Sequence, residues 1–465
     1  MLSNKFKINY SIGSVANGVK TDTFTFFLLF FYSNIIGLNP GLAGSAIFIA
    51  LCIDAVTDPL MGTISDRTNS SLGRRHPYML ISFIPMSLGY IFLFAPRQGW
   101  DMSQTDLFLW MTVFTVLTRL GMTLFDIPHR AFGGEITKDY QDRTILMSWR
   151  EAFGWIAGLS NAFLGYGIFF ASTPEYPQGQ LNPDAWFPFA LTGALVMIIS
   201  VLYSSYNTKD EIRYLSKWKG NITLTDIFKE LRIAIGNKSF LIFFFGYLFI
   251  AISWGMGSSL QIYMNTYFWE FKSIMLASYL GIYVLSTLSA YLIVPRLVEV
   301  IEKKTILLIA ISFAALIPPI PIILFINNLL PDTGTWNLFY ATIPFVYVAN
   351  TCLSSSAIIR ESMLGDISDE VELESGIGQQ GLMFASSSLI GKLNTGLGIL
   401  MAGITLEFIN FPQGTDVTPS AENIFNLAMV QGPLVAILMI IPFGIFSLYK
   451  IDRYRHQQIL AKLNQ

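Results

Sequence analysis

Apolar segments long enough to cross a membrane recur along the whole chain and restrict its fold more than any other feature. About twelve segments of roughly 18–28 residues can each span a hydrocarbon core ~30 Å thick as a helix. The composition agrees, since 53% of the 465 residues are hydrophobic and 13% are charged, whereas soluble proteins carry about 25% charged residues. We therefore predict an all-α polytopic membrane protein. The expected spans are residues 10–36, 41–65, 78–95, 105–131, 146–172, 186–206, 239–268, 273–296, 305–326, 336–360, 377–408 and 423–449.

The longest polar stretch divides the chain near its middle and leaves six apolar segments on each side. A short echo supports a repeat, because Gly-Glu-Ile-Thr at 134–137 follows the fourth segment and Gly-Asp-Ile-Ser at 365–368 follows the tenth. Two parallel six-helix halves are typical of major facilitator transporters. We predict a six-helix bundle at 1–206, a central cytoplasmic loop at 207–238, and a second bundle with a cytoplasmic tail at 239–465.

Basic residues predict the orientation, because Lys and Arg concentrate in the cytoplasmic loops of membrane proteins. A cytoplasmic N-terminus collects nearly all of them on one side and leaves Arg97 and Lys272 on the other. Both termini are then cytoplasmic. The 29 Lys and Arg against 31 Asp and Glu give a net charge of −2, which does not suit a nucleic-acid partner.

Enzymatic chemistry has little support in the sequence. The three histidines, His76, His129 and His456, are scattered near segment ends, and no nucleophile–base pair or metal-binding spacing accompanies them. Cys52 and Cys352 lie within apolar segments, where a thiol packs as a small hydrophobic group. We expect neither an enzyme nor a bound cofactor.

Carboxylates inside the second span point to a cation site. An ionisable side chain there costs about 2.5–3.5 kcal/mol on insertion scales and implies a polar cavity or a partner. Asp54 and Asp58 share one helix face, and their repulsion favours either protonation or a cation between them. Pro59 cannot donate to the carbonyl of Ala55. With the hydroxyl of Thr57, these oxygens resemble the ligand set that a hard cation prefers.

The fourth span repeats this pattern, and the eleventh contains an isolated cation. Thr123 and Asp126 lie beside Pro128, which frees the carbonyl of Leu124. Lys392 has no other charge within ten residues, so its natural partner is one of these carboxylates. The alternative explanation of Asp54 and Asp58 is a structural ion pair with Lys392. Further candidates for a polar cavity are Lys20, Asp22, Arg119 and Arg150.

The acidic run at 366–374, after the tenth span, has two explanations. It is either a solvated cytoplasmic face or the acidic side of an inner gate that pairs with basic residues after the second span. The expected inner-gate residues are Arg74, Arg75, Glu135, Arg143, Asp366 and Asp369.

The residues around these charges resemble one known family. Asp-Ala-Val-Thr-Asp-Pro-Leu-Met-Gly at 54–62, Ser-Asp-Arg-Thr at 65–68 and Gly-Arg-Arg-His-Pro-Tyr at 73–78 resemble the second-helix signature of the glycoside–pentoside–hexuronide:cation symporters. This family has the major facilitator fold. Further matching segments are 34–37, 133–136, 142–144 and 363–370.

The resemblance implies coupling to Na⁺, H⁺ or Li⁺ through the intramembrane carboxylates, with the eleventh-span lysine communicating with them and an arginine reaching the solute. The implied cation ligands are Asp54, Thr57, Asp58, Thr123 and Asp126, with Na⁺ held by the three carboxylates. The implied solute-binding and coupling residues are Asn17, Asp22, Asp126, Arg150 and Lys392.

The solute positions depart from the family pattern. The acidic sugar-binding residue of the first helix falls near Asn17, and Asp22 is out of register with it. Arg130 stands one turn after Asp126, where one sugar-transporting member of the family has a Trp. Together with Arg150, Arg130 favours an anionic solute such as a hexuronide or a sulfonated sugar; the alternative is that Arg130 faces the cytoplasm.

The predicted function is cation-coupled symport of a sugar or sugar-like solute by alternating access. We expect a monomer, surrounded by lipid in a bacterial inner membrane, whose solute is a small sugar or uronate. Two alternatives remain open. A sodium-dependent lysophosphatidylcholine transporter of the same fold would share the second-helix aspartates and the eleventh-helix lysine, and a receptor or scaffold would use the charges only structurally.

Overall fold

The computed structural model describes residues 2–97, 99–137, 140–210, 235–375, 391, 396–415 and 417–463, and its regular structure there is helical throughout. Ten helices within this part of the chain are long and apolar enough to cross a membrane, which confirms an integral membrane protein. In chain order the helices are α1 (Asn4–Ser11), α2 (Ser14–Asp22), α3 (Pro40–Arg67), α4 (His76–Leu93), α5 (Gln104–Glu135), α6 (Tyr140–Leu164), α7 (Trp186–Asn207), α8 (Lys238–Tyr263), α9 (Ser273–Val300), α10 (Lys303–Ile326), α11 (Trp336–Ser375), α12 (Gly396–Phe408), α13 (Ala421–Ser447) and α14 (Arg453–Leu463).

The two predicted spans missing from those ten have separate reasons. The first is divided among α1, α2 and the π-helical stretches Thr23–Leu28 and Phe31–Ile36, so no single helix there reaches spanning length. Most of the eleventh lies outside the described residues, which include only residue 391 and α12 from it.

Helix starts follow local chemistry. The side chain of Asn39 caps α3 by accepting from the backbone N–H of Leu42 at 3.1 Å, and Pro40 occupies the first turn, where its missing N–H costs nothing. At the start of α5, Ser103 and Asp106 form a reciprocal capping box.

The chain divides into two compact units. The first comprises Met1–Gly220, Lys272–Ala277 and Ala402–Pro419, and the second comprises Asn221–Phe271, Ser278–Met401 and Ser420–Gln465. The predicted boundaries of the halves at 206 and 239 remain a prediction.

Aromatic packing and close glycine contacts shape the first unit. Trp186 of α7 is fully buried, and its ring centroid lies 4.5 Å from that of Phe170. Between α2 and α6, a Cβ added to Gly18 would collide with the carbonyl of Gly154. The backbones of these helices therefore approach closely, as small residues allow in membranes.

The second unit has a different kind of helix contact, a polar seam between α9 and α11. Asn350 donates to Ser286 Oγ at 2.5 Å, and the hydroxyls of Thr287 and Ser354 lie 3.1 Å apart. Interhelical hydrogen bonds of this kind hold membrane helices together where the lipid offers no hydrophobic driving force.

Candidate functional site

The candidate cation site is built where α3 lies beside α5. Arg119 Nε donates to Asp54 Oδ2 at 2.7 Å, and Arg119 Nη2 is 2.7 Å from the same oxygen. One turn further along, Thr123 Oγ1 donates to Asp58 Oδ1 at 2.7 Å. Both pairs are separated by 65 residues, so the two helices run parallel in a constant register. The structure thus brings together the second-span carboxylates and the fourth-span hydroxyl.

Two buried oxygens on α3 lack hydrogen-bond partners among the described residues. They are Asp54 Oδ1, the oxygen that Arg119 does not reach, and Thr57 Oγ1. Residues three apart on a helix are surface neighbours, so both oxygens belong to one face of α3. A buried polar atom without a partner costs about 1–3 kcal/mol. Carboxylate and hydroxyl oxygens suit a hard cation, and this pair therefore fits the predicted coupling ion.

Asp126 has different partners from the other two carboxylates. Arg150 Nη2 donates to its Oδ1 at 2.7 Å, and Arg130 Nε lies 2.7 Å from its Oδ2. Both oxygens are thus engaged by guanidinium groups. Within the described part of the chain, no three or more His, Cys, Asp or Glu side chains are grouped to hold one metal ion. In this structure Arg130 and Arg150 hold Asp126, and Na⁺ binding by the three carboxylates stays a prediction.

The first helices hold this arginine cluster in place. Ser14 Oγ donates to the carbonyl of Arg150 at 2.5 Å, and Arg150 also pairs with Glu151 of its own helix. Tyr10 stacks on His129 with ring centroids 4.1 Å apart and donates to the His129 carbonyl at 3.1 Å. Sequence reasoning missed Tyr10, because its partner is a backbone carbonyl 119 residues away.

The remaining solute-binding candidates are Asn17, Asp22 and Lys392. Asn17 is half-buried on α2 and accepts from Thr21 Oγ1 at 3.4 Å. Asp22 lies against Gly158 of α6, where an added Cβ would collide with its carboxylate. Lys392 lies outside the described residues, so its predicted coupling role stays a prediction.

The predicted gate residues of the first unit join the end of α3, the start of α4 and the end of α5. Arg74 Nη2 is 2.7 Å from a carboxylate oxygen of Glu135, and Arg75 pairs with the other oxygen. Arg75 is buried and also lies 2.7 Å from Asp66 at the end of α3. One buried guanidinium therefore links two helix ends.

A second cluster fixes the start of α6 against α1. Asp142 accepts from the backbone N–H of Leu2 at 2.8 Å and from Lys7 Nζ at 3.2 Å. Burial would raise the pKa of Asp142, but these hydrogen bonds and the positive charge of Lys7 lower its pKa below the ordinary value. The neighbouring Arg143 lies with its Nη2 3.1 Å from the position that a Cβ on Gly134 would take.

The second unit repeats the pairing of the first. Lys303 at the start of α10 is 2.7 Å from Asp366 near the end of α11. In the first unit, Arg74 stands just before α4 and pairs with Glu135, which ends α5. In both units, an acid just after the fourth or tenth predicted span pairs with a base just before the third or ninth. The echo in the sequence therefore has a structural counterpart.

The acidic run is helical, and part of it is buried. α11 continues from the predicted end at residue 360 to Ser375. Asp366 and Glu370 are buried, so the expectation of a solvated face fails for both. Within the second unit, His456 of α14 lies 2.9 Å from Asp369, and Arg455 lies 2.5 Å from Glu370.

Comparison with known proteins agrees with this architecture. The model of the family described as MFS/sugar transport protein matches residues 9–453. A putative glycoside/cation symporter of Escherichia coli is 25% identical, covering 99% of this chain and 95% of its own. The sodium-dependent lysophosphatidylcholine symporter 1-A of Danio rerio is 23% identical, covering 97% and 86%.

A solved structure shows the same fold. The inward open conformation of the xylose transporter XylE from Escherichia coli superposes with a TM-score of 0.64 at 12% identity, over 98% of this chain and 99% of that one. The predictions of the major facilitator fold and of a transport protein are confirmed. This chain belongs to the MFS/sugar transport protein family.

Proposed function

We propose that the protein is a secondary active transporter that couples Na⁺ or H⁺ to the symport of a sugar or sugar-like solute by alternating access. The family match and the glycoside/cation symporter relative support this class. The observation that supports coupling is that only one oxygen of the Asp54 carboxylate has a partner in the described structure. One of its oxygens is held by Arg119, and the other is buried without a hydrogen-bond partner in the described structure.

The cation binds at Asp54 Oδ1 and Thr57 Oγ1, with Asp58 as the neighbouring carboxylate. A bound Na⁺ or H⁺ reduces the negative charge on Asp54, so the attraction between Asp54 and Arg119 weakens. The contact between α3 and α5 then loosens, and the conformational equilibrium shifts. By linkage, a solute that favours the same state raises the cation affinity by the same factor.

Asp126 and Arg150 serve the solute rather than the cation. A carboxylate and a guanidinium together offer acceptors and donors for sugar hydroxyls. Asp126, Arg130, Arg150 and Glu151 form a locally balanced set of two acids and two bases. Asn17, Asp22 and Lys392 remain proposed solute-binding and coupling residues.

The cytoplasmic clusters are proposed to act as the inner gate. In the first unit the gate contains Arg74, Arg75, Glu135 and Arg143, and in the second it contains Asp366 and Asp369. The ion pairs found within each unit hold neighbouring helix ends together, and these ends must move when the gate opens during transport. We further propose two six-helix halves, cytoplasmic termini and a location in a bacterial inner membrane.

Uptake into proteoliposomes tests the proposed function. With a panel of labelled glycosides and uronates, an inward Na⁺ or H⁺ gradient is expected to stimulate uptake by the wild-type protein, and D54N is expected to abolish the stimulation. D106N is the matched control, because it removes the same charge from an exposed capping residue at the start of α5. Full stimulation in D54N would contradict the site.

Competition separates this function from lysolipid transport. The zebrafish relative is named for a lysophospholipid, so lysophosphatidylcholine belongs in the same uptake assay. We expect sugars or uronates to inhibit uptake and lysophosphatidylcholine to be neither carried nor inhibitory. Cation-stimulated lysophosphatidylcholine uptake would favour the alternative, and absence of any flux would favour a receptor or scaffold.

A further inference from the structure

The second unit contains a buried guanidinium that forms no ion pair among the described residues. Arg360 of α11 is 6% exposed. Its Nη1 donates to Ser356 Oγ at 2.7 Å, and its Cζ lies 4.5 Å above the ring of Tyr247. Its Nε is buried without a hydrogen-bond partner. Across the described chain, no carboxylate lies within ion-pair distance of this guanidinium.

Ser356 and Tyr247 orient the charge without neutralising it, and Glu361, the next residue along α11, attracts it without forming an ion pair with it. A guanidinium has five N–H donors in a planar fork, and Ser356 takes one of them. The Tyr247 ring offers a cation–π contact, which attracts the charge through the ring quadrupole but brings no negative charge of its own. A buried charge is normally paired, because an uncompensated one is strongly destabilising. Arg360 therefore keeps one buried donor, Nε, that an anion could accept from.

The eleventh predicted span does not supply that anion either. Its residues 377–390 and 392–395 contain no Asp or Glu and add one further cation, Lys392. In the first unit, by contrast, each buried arginine of the candidate site has a carboxylate, as in the pairs Arg119–Asp54 and Arg150–Asp126. Arg360 is the exception to this pattern.

We propose that Arg360 binds the anionic group of the transported solute, a carboxylate or sulfonate on a sugar. This inference rests on the proposed function and narrows its substrate to acidic sugar derivatives. The anion accepts from Nε, the nitrogen that has no partner in the described residues, and charge assistance strengthens such a hydrogen bond. Ser356 and Tyr247 hold the guanidinium plane in place. Arg360 is thus a specificity-determining residue in the second unit.

Matched sugar pairs test the proposal. The probes are methyl glucuronide against methyl glucoside, methyl galacturonide against methyl galactoside, and methyl sulfoquinovoside against methyl quinovoside. The protein is held in nanodiscs of phosphatidylcholine, and binding is measured by calorimetry. In at least one pair, the acidic member is expected to bind about tenfold or more tightly than the neutral one. Failure of every acidic member to bind better than its neutral partner would overturn the proposal.

Variants then assign the preference to this residue. R360Q is expected to bring the acidic and neutral affinities within about twofold, and R360K to keep part of the preference because it keeps the charge but loses the fork. R296Q is the control, since Arg296 is exposed on α9 and donates to the carbonyl of Leu292. An unchanged preference in R360Q would overturn the assignment.

A milder variant covers the case in which R360Q does not fold. Y247L leaves the charge in place and removes the ring beneath it, and it is expected to weaken binding of the acidic sugar while sparing the neutral one. Equal effects on both sugars would contradict the proposal. A second result would also contradict it: R360Q loses binding of phosphatidylglycerol, measured in nanodiscs, but keeps the preference for acidic sugars. Arg360 would then bind an anionic lipid headgroup and not the solute.

The experiments distinguish a failure of this proposal from a failure of the proposed function. Cation-stimulated uptake of neutral glycosides, with no preference for acids, would refute the role of Arg360 and leave the symport mechanism standing. Binding of acidic sugars that depends on Arg360, without stimulation by any cation gradient, would do the reverse.

Discussion

The guanidinium of Arg119 holds one oxygen of the Asp54 carboxylate, at 2.7 Å from both Nε and Nη2, and leaves the other oxygen buried without a hydrogen bond in the described structure. This ion pair therefore joins α3 to α5. A coupling cation can compete with Arg119 for the Asp54 carboxylate.

Removing Arg119 tests that competition. R119Q leaves Asp54 buried without the guanidinium that pairs with it, and breaking a buried ion pair costs about 3–5 kcal/mol. We expect a lower thermal midpoint in choline chloride and a larger upward shift on adding NaCl than the wild type shows. R97Q, at an exposed arginine, controls for the charge change. Equal midpoints of R119Q and wild type in choline would contradict the role of the pair.

The hydroxyl of Thr123 is the second test of the α3–α5 contact. It donates to Asp58 Oδ1, and a hydrogen bond to a charged group contributes about 1.5–3 kcal/mol. T123V should therefore lower the apparent affinity for the coupling cation by roughly tenfold, measured from the cation dependence of uptake. T112V should have little effect, because Thr112 bonds to the carbonyl of Phe108 on its own helix.

The predictable part of this site is its composition. The resemblance and the intramembrane charges single out Asp54, Asp58 and Asp126 without any coordinates. The partners are not predictable in the same way, because each depends on the register of two helices that are distant in sequence. Arg119 is 65 residues from Asp54, and the sequence alone does not link the two. The sequence favours Lys392 as the partner, because Lys392 has no other charge within ten residues.

Close helix packing makes a third prediction. A Cβ on Gly18 would collide with the carbonyl of Gly154, and overpacking costs about 1–3 kcal/mol. G18A is expected to lower the thermal midpoint and reduce uptake, because α2 must move away from α6. G281A is the control, since an added Cβ there meets nothing within 4 Å. A midpoint for G18A at or above that of G281A would refute the close approach.

The ends of helices are where polarity misleads sequence analysis. The tenth span is predicted to end at residue 360, because charged residues follow and lower the hydropathy. The helix in fact continues to Ser375, since backbone hydrogen bonding does not require apolar side chains. Arg360 stands at the predicted end of that span, and the structure shows it buried.

Asp142 gives a prediction for acidic pH. Its pKa is lowered in the folded protein by the backbone N–H of Leu2 and by Lys7, against the effect of burial. A group with a lowered pKa contributes stability above its ordinary pKa of 3.8, and this contribution disappears as the pH falls through the folded-state value. The stability difference between wild type and D142N should be constant near neutrality and shrink below about pH 4.

Denaturant titrations of both proteins between about pH 3 and 7 measure this difference. D101N, on the connection before α5 and exposed, is the control for loss of a carboxylate. A stability difference between wild type and D142N that grows on acidification would contradict the sign of the pKa shift.

The central claim is that a cation at Asp54 and the solute strengthen each other's binding. The most direct measurement is calorimetric titration of the solute into purified protein, with and without saturating Na⁺ at fixed pH, and again at two proton concentrations without Na⁺. We predict that one of these cations raises the solute affinity of the wild type by at least about fivefold, as typical coupling energies imply. D54N should bind solute with an affinity independent of either cation. Equal solute affinities for the wild type in all conditions, or full cation dependence in D54N, would contradict the mechanism.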